Sequence, residues 1–146
     1  MRLAYPSSIW RWPAAGALSA TAAIHMTLVP EHLHEAPYAG GLFIALSVAA
    51  LTAAMLLSAT DHEFVWLAAA AMSLGAIVAY FLSRSVGLPS MSDDIGDWTN
   101  PLGLAALACE TVVLIAWIAR SAPRVAAGRL DEQPAHPPKY SFSGPS

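Results

Sequence analysis

Residues 38–59 read YAGGLFIALSVAALTAAMLLSA, 22 consecutive positions without a charged side chain. At 1.5 Å per residue a helix of that length covers about 33 Å, close to the roughly 30 Å hydrocarbon core of a bilayer. Three further stretches of similar character, 13–29, 64–83 and 101–119, surround it. The composition agrees with a membrane class: 56% of the 146 residues are hydrophobic and 12% are charged, against about 25% charged in an ordinary soluble domain. The expected fold is all-α, an integral membrane four-helix bundle. It leaves a short arm at 1–12 and a proline-rich tail at 120–146, which is expected to be disordered.

The basic residues set the expected orientation, because Lys and Arg near span ends stay in the cytoplasm. Arg2 and Arg11 precede the first span, and Arg120, Arg124, Arg129 and Lys139 follow the last. Only Arg84 falls on the other side. Both termini are therefore expected to be cytoplasmic, and the loops carrying Glu31, His32, His34, Glu35, Asp93, Asp94 and Asp97 face outward. Trp10, Trp12, Trp66, Trp98 and Trp117 lie near span ends, where amphipathic rings favour the headgroup level. The triplet Ala20-Thr21-Ala22 has the form of a signal-peptide cleavage site, but the apolar run continues to Val29, and retention of the first span is expected.

The single cysteine, Cys109, rules out an intramolecular disulfide and the thiol-oxidoreductase chemistry that needs cysteine pairs. No basic face with interleaved aromatics points to nucleic acid. A bis-histidine haem bundle would need histidines paired across the spans, and only His25 lies within one. Intramembrane serine proteolysis is disfavoured because Ser19 and His25 stand six positions apart, on different faces of one helix.

The loop at 60–63, Thr-Asp-His-Glu, is short enough to force the second and third helices into an antiparallel hairpin. Asp61 or Thr60 is expected to cap the third helix. That helix carries Ala71, Gly75 and Ala79 at intervals of four. Such a small-residue stripe lets backbones approach closely, either within the bundle or against a membrane-protein partner or a second copy of the chain.

Chemistry is most concentrated at the outer end. Glu31-His32-Leu33-His34-Glu35 supplies two imidazoles and two carboxylates within five residues. Histidine nitrogen with carboxylate oxygen suits a divalent ion such as Zn or Cu. His25 lies one to two turns below Pro30, and Glu110 about 13 Å below Pro101, near the midplane. An ionisable group at that depth costs about 2.5–3.5 kcal/mol on insertion scales, so it should face the bundle interior and mark a candidate site. The expected metal or proton site comprises His25, Glu31, His32, Glu35, Asp94 and Asp97. A buried polar cluster of His25, Arg84 and Glu110, lined by Thr21, Ser83 and Thr111, is expected beneath it. No HExxH or other ligand spacing pattern accompanies these residues, and no nucleophile motif supports an enzyme. An accessory subunit of a larger membrane complex is the alternative, and an enzyme using His and Glu as acid and base is the second alternative.

The segments PEHLHEAPYAG at 30–40, Ser83-Arg84 with Gly87-Leu88-Pro89, Asp94-Ile95-Gly96-Asp97-Trp98 and Asn100-Pro101-Leu102-Gly103 resemble uncharacterised four-span membrane proteins of high-GC bacteria. The resemblance implies four helices and a location in the bacterial plasma membrane. It implies no catalytic roles.

Overall fold

The computed structural model describes residues 9–131 and the side chains of residues 9–122; the remainder of the arm and tail lies outside the described residues. Four helices carry the fold: α1 (Arg11–Glu35), α2 (Pro37–Ala59), α3 (Glu63–Ser85) and α4 (Pro101–Asp131), with a short 3-10 turn (Ser92–Asp94) between the last two. No strand occurs among the described residues. Three helices, α2, α3 and the Pro101–Ala122 part of α4, are long and apolar enough to cross a membrane. In α1, interspersed Ser, Thr and Gly together with His25 dilute the apolar content, and it is not among the three.

The first helix does not end at Val29. It continues through Pro30 to Glu35. Proline removes one amide donor from the ladder, but continuing the helix seats Leu33 against Gly40 of α2, where a Cβ would come within 2.6 Å of Leu33 Cγ and 2.9 Å of the Leu33 backbone nitrogen. Only the hydrogen atom of glycine allows that approach. The helix stops one residue before Pro37, whose ring disfavours a helical predecessor; Ala36 accordingly takes φ −142° and ψ 86°. This single residue joins α1 and α2 into an antiparallel hairpin, whose register is marked by Ser47 Oγ donating to the Ala22 carbonyl at 3.1 Å.

The helices form a ring in which α1 packs on α2 and α4, and α3 packs on α4 and, least extensively, on α2. At the end that carries the start of α1, the bundle is solid. Ala14, Leu18, Ala22, Ala50, Ala54, Leu57, Trp66, Ala69, Val113 and Ala116 form one core there. Small residues dominate the interior while Leu42, Val48, Met55, Phe64, Leu74, Val78 and Ile115 stand exposed. This pattern, small inside and bulky apolar outside, suits helices that associate within lipid by close van der Waals packing.

Arg120 fastens that end. Its side chain is 2% exposed, and it donates to Asp61 Oδ1 (2.9 Å), Glu63 Oε2 (2.7 Å) and the Asp61 carbonyl (3.0 Å). Its guanidinium lies 5.1 Å from the Trp66 ring centroid. The loop 60–62 is thus tied to α4. His62, not Asp61 or Thr60, caps α3, its Nδ1 accepting from the Phe64 amide at 3.2 Å. Asp61 is occupied by Arg120 and by the indole N–H of Trp66 at 2.7 Å. Trp66 is fully buried, so its ring belongs to the core and not to the surface belt expected of the five tryptophans. The last helix also exceeds its expected end at residue 119: residues 120–131, expected to be disordered, continue the helix, which their Ala, Arg and Leu content favours and Pro123 and Gly128 oppose. The expectation of disorder for 132–146 falls outside the described residues.

Candidate functional site

Toward the opposite end the ring opens. A cavity of about 390 Å³ lies among all four helices and the 3-10 turn. Its apolar wall comes from Leu28, Leu42, Phe43, Leu46, Met72 and Leu107, and its polar groups are His25, Glu31, His32, Glu35, Arg84, Asp94 and Glu110. Gly75 and Ala79 of the small-residue stripe also line it. A Cβ on Gly75 would meet nothing within 4 Å, so these positions of the stripe widen a cavity instead of seating a neighbouring helix of the bundle.

At its floor His25 Nε2 stands 4.0 Å from Glu110 Oε1. His25 is 7% exposed and Glu110 2% exposed. Glu110 Oε1 has no hydrogen-bond partner among the described residues. On its other side the His25 ring is fixed: Nδ1 lies 2.9 Å from the Thr21 carbonyl oxygen. A carbonyl only accepts, so Nδ1 carries the proton and Nε2 of the neutral ring presents a lone pair. His32 repeats the arrangement two turns later, with Nδ1 at 2.9 Å from the Leu28 carbonyl. Phe43 lies between the two imidazoles, its centroid 5.0 Å from His25 and 4.5 Å from His32. Seven residues of helix separate the histidines, about 10 Å along one face.

The rim holds the cation. Arg84 Nη1 stands 2.6 Å from Asp94 Oδ1, outside hydrogen-bond angles, so the contact is chiefly Coulombic. Arg84 also lies 5.3 Å from the Tyr80 ring centroid, and its backbone carbonyl accepts from the Gly96 amide at 2.9 Å. The segment that supplies Asp94 is folded by left-handed residues, Gly87 at φ 80°, Ser90 at 62° and Gly96 at 83°. A Cβ on Gly87 would also press to 2.9 Å from Ile95. Leu88 and Met91 pack on Ala36 and Ala39, and Tyr38 Oη donates to the Pro89 carbonyl at 2.7 Å, which closes this segment over the start of α2.

Seven of the eight residues singled out from sequence line this one cavity. Asp97 does not; it lies beside the 3-10 turn, its amide bonded to the Asp94 carbonyl. His34 is likewise outside the lining and exposed, because the helical course of 31–35 puts Glu31, His32 and Glu35 on the cavity face and His34 off it. Arg84 pairs with Asp94 and not with Glu110. Thr111 is exposed and bonded to its own helix at the Leu107 carbonyl. No group of three or more His, Cys, Asp and Glu side chains converges as a metal site among the described residues. Missing from the sequence reading was Phe43, which the hairpin register places between the histidines; the signal was available in Ala36-Pro37, a helix break that folds position 43 back onto 25 and 32.

No protein-family model, curated protein or solved structure matches the chain.

Proposed function

We propose that this is a four-span membrane protein with cytoplasmic termini, residing in a bacterial plasma membrane, whose outward-opening cavity handles protons at the His25–Glu110 pair. The observation that carries this is the pairing itself. An imidazole lone pair and a carboxyl oxygen, both buried and 4.0 Å apart, share space in which a single proton or donor satisfies both. Two acceptors facing each other in an apolar surrounding are costly when neither is protonated. A proton on Glu110 or on His25 Nε2 relieves that cost, and Glu31, His32, Arg84 and Asp94 line the path from the rim to the pair. Intramembrane ionisable residues of this kind mark proton or ion pathways.

The test is infrared difference spectroscopy of the detergent-purified chain, exchanged between acidic and alkaline buffer. The expected result is a protonated-carboxyl band that grows on acidification, is absent from Glu110→Gln and is displaced in His25→Gln. A spectrum in which Glu110→Gln matches the wild type would sink the proposal.

One observation supports a second reading, a divalent ion such as Zn or Cu. Both cavity histidines have Nδ1 held by a carbonyl and Nε2 without a hydrogen bond among the described residues, the orientation in which a metal-ligating histidine is usually fixed by its surroundings. Glu31, Glu35 and Asp94 would have to move inward to complete a coordination sphere. Elemental analysis after Zn or Cu exposure, wild type beside His32→Ala, tests it: retained stoichiometric metal that the variant loses supports the ion, and no retained metal in either form rejects it.

A further inference from the structure

We propose that the cavity binds a lipophilic amine, its protonated nitrogen at the His25–Glu110 floor and its hydrocarbon against the wall formed by α2 and α3. The inference deepens the proton site just described and rests on it.

Three observations converge on that chemistry. The first is the deficit at the floor: Glu110 Oε1 is buried without a hydrogen-bond partner among the described residues, and His25 Nε2 offers a second acceptor 4.0 Å away. An ammonium group carries three donors and no acceptor, so it satisfies both atoms at once, which neither a carboxylate nor an ether oxygen does. The second is charge. Among the described residues four carboxylates line the cavity, Glu31, Glu35, Asp94 and Glu110, against the one guanidinium of Arg84, and that guanidinium is already matched by Asp94 at 2.6 Å. What remains unmatched is negative.

The third is the route. Leu42 of α2 is 62% exposed and Gly75 and Ala79 of α3 are exposed, yet all three also line the cavity. They mark a window between α2 and α3, the two adjacent helices that touch least. On a chain with this pattern of exposed bulky apolar residues the window faces hydrocarbon. A molecule dissolved in the bilayer enters there with its chain against Leu46 and Met72, while the Phe43 ring borders the charged end. The volume, about 390 Å³, lies within the roughly 300–1,000 Å³ of small-molecule sites.

The experiment compares decylamine, decanol and decanoate, matched in chain length, by their saturable shift of the thermal unfolding midpoint of the full detergent-solubilised chain. Decylamine is expected to bind at least about tenfold more tightly than the other two, the equivalent of the low end of a charge-assisted hydrogen bond. Glu110→Gln, isosteric with the wild type, should erase that preference. Gly75→Leu fills open space, so it should fold normally and lose decylamine binding. Equal or tighter binding of decanoate or decanol overturns the proposal, as does undiminished decylamine binding by either variant. The infrared response of Glu110 keeps the two readings apart: if that response is present but decylamine has no effect, only the amine is rejected, whereas loss of both rejects the proton site as well.

Discussion

Replacing Arg120 by Met tests whether the clamp at the core end of the bundle holds the helices together. The substitution keeps most of the aliphatic volume and removes the guanidinium. Two charge-assisted bonds run to Asp61, at 2.9 Å to its carboxylate and 3.0 Å to its carbonyl, and bonds to charged groups contribute about 1.5–3 kcal/mol. The bond to Glu63, whose side chain is 60% exposed, adds little, about 0–1 kcal/mol. The contact over Trp66 adds about 0.5–1 kcal/mol. Because Trp66 still donates to Asp61 at 2.7 Å, the carboxylate is not stranded, and the loss should fall at the low end of the summed range, about 4 kcal/mol. That is roughly a thousandfold in the unfolding equilibrium. Equilibrium unfolding by a denaturing detergent, followed by circular dichroism, measures it, and a double-mutant cycle with Asp61→Asn isolates the pair. A loss below about 1 kcal/mol, or coupling indistinguishable from zero, would refute the assignment of Arg120 as the fastening.

Three other substitutions have defined outcomes. Gly40→Ala forces a Cβ to 2.6 Å from Leu33 and should cost about 1–3 kcal/mol; Leu33→Ala should restore only part of this, since the Leu33 backbone nitrogen still lies at 2.9 Å, and a complete rescue in the same unfolding assay would contradict the stated contact. Arg84→Met removes the partner of Asp94 and should speed amide exchange at Gly96, whose N–H bonds the Arg84 carbonyl, while leaving exchange in the Trp66 region unchanged; equal protection of Gly96 would show that the segment holds itself. His62→Ala removes a long, exposed cap bond of 3.2 Å and should cost no more than about 1 kcal/mol, so a larger loss of unfolding free energy would point to a further role for that ring.

Length and apolarity made α2, α3 and the membrane part of α4 legible, because an uncharged run of some twenty residues has few other uses. The ends of α1 and α4 were not. Pro30 looks like a boundary when only local sterics are weighed, and what carries α1 past it is a tertiary contact, Leu33 on Gly40, between residues on two different helices. The continuation of α4 was hidden by the prolines of the tail, which pull a compositional reading toward disorder even though seven of residues 120–131 are Arg, Ala or Leu. Charge and histidine density located the cavity residues, since groups costly in lipid gather where they can face inward. The pairing among them was not readable: Arg84 has two carboxylates within plausible reach, Glu110 and Asp94, and the choice depends on the left-handed turns at Gly87, Ser90 and Gly96 that bring Asp94 back over the helix end.

The one-residue connection at Ala36 bears on how the chain is made. On the four-span reading, α1 is the least suited of the helices to partition into hydrocarbon by itself, and α2, with no charge in 23 residues, is well suited. Joined by a single residue, the end of α1 and the start of α2 stay adjacent. On that reading insertion as a hairpin is the expected route, with α2 drawing α1 across and covering its polar groups. On the four-span reading the histidines of the cavity stand at membrane depth on a helix that does not have to enter alone.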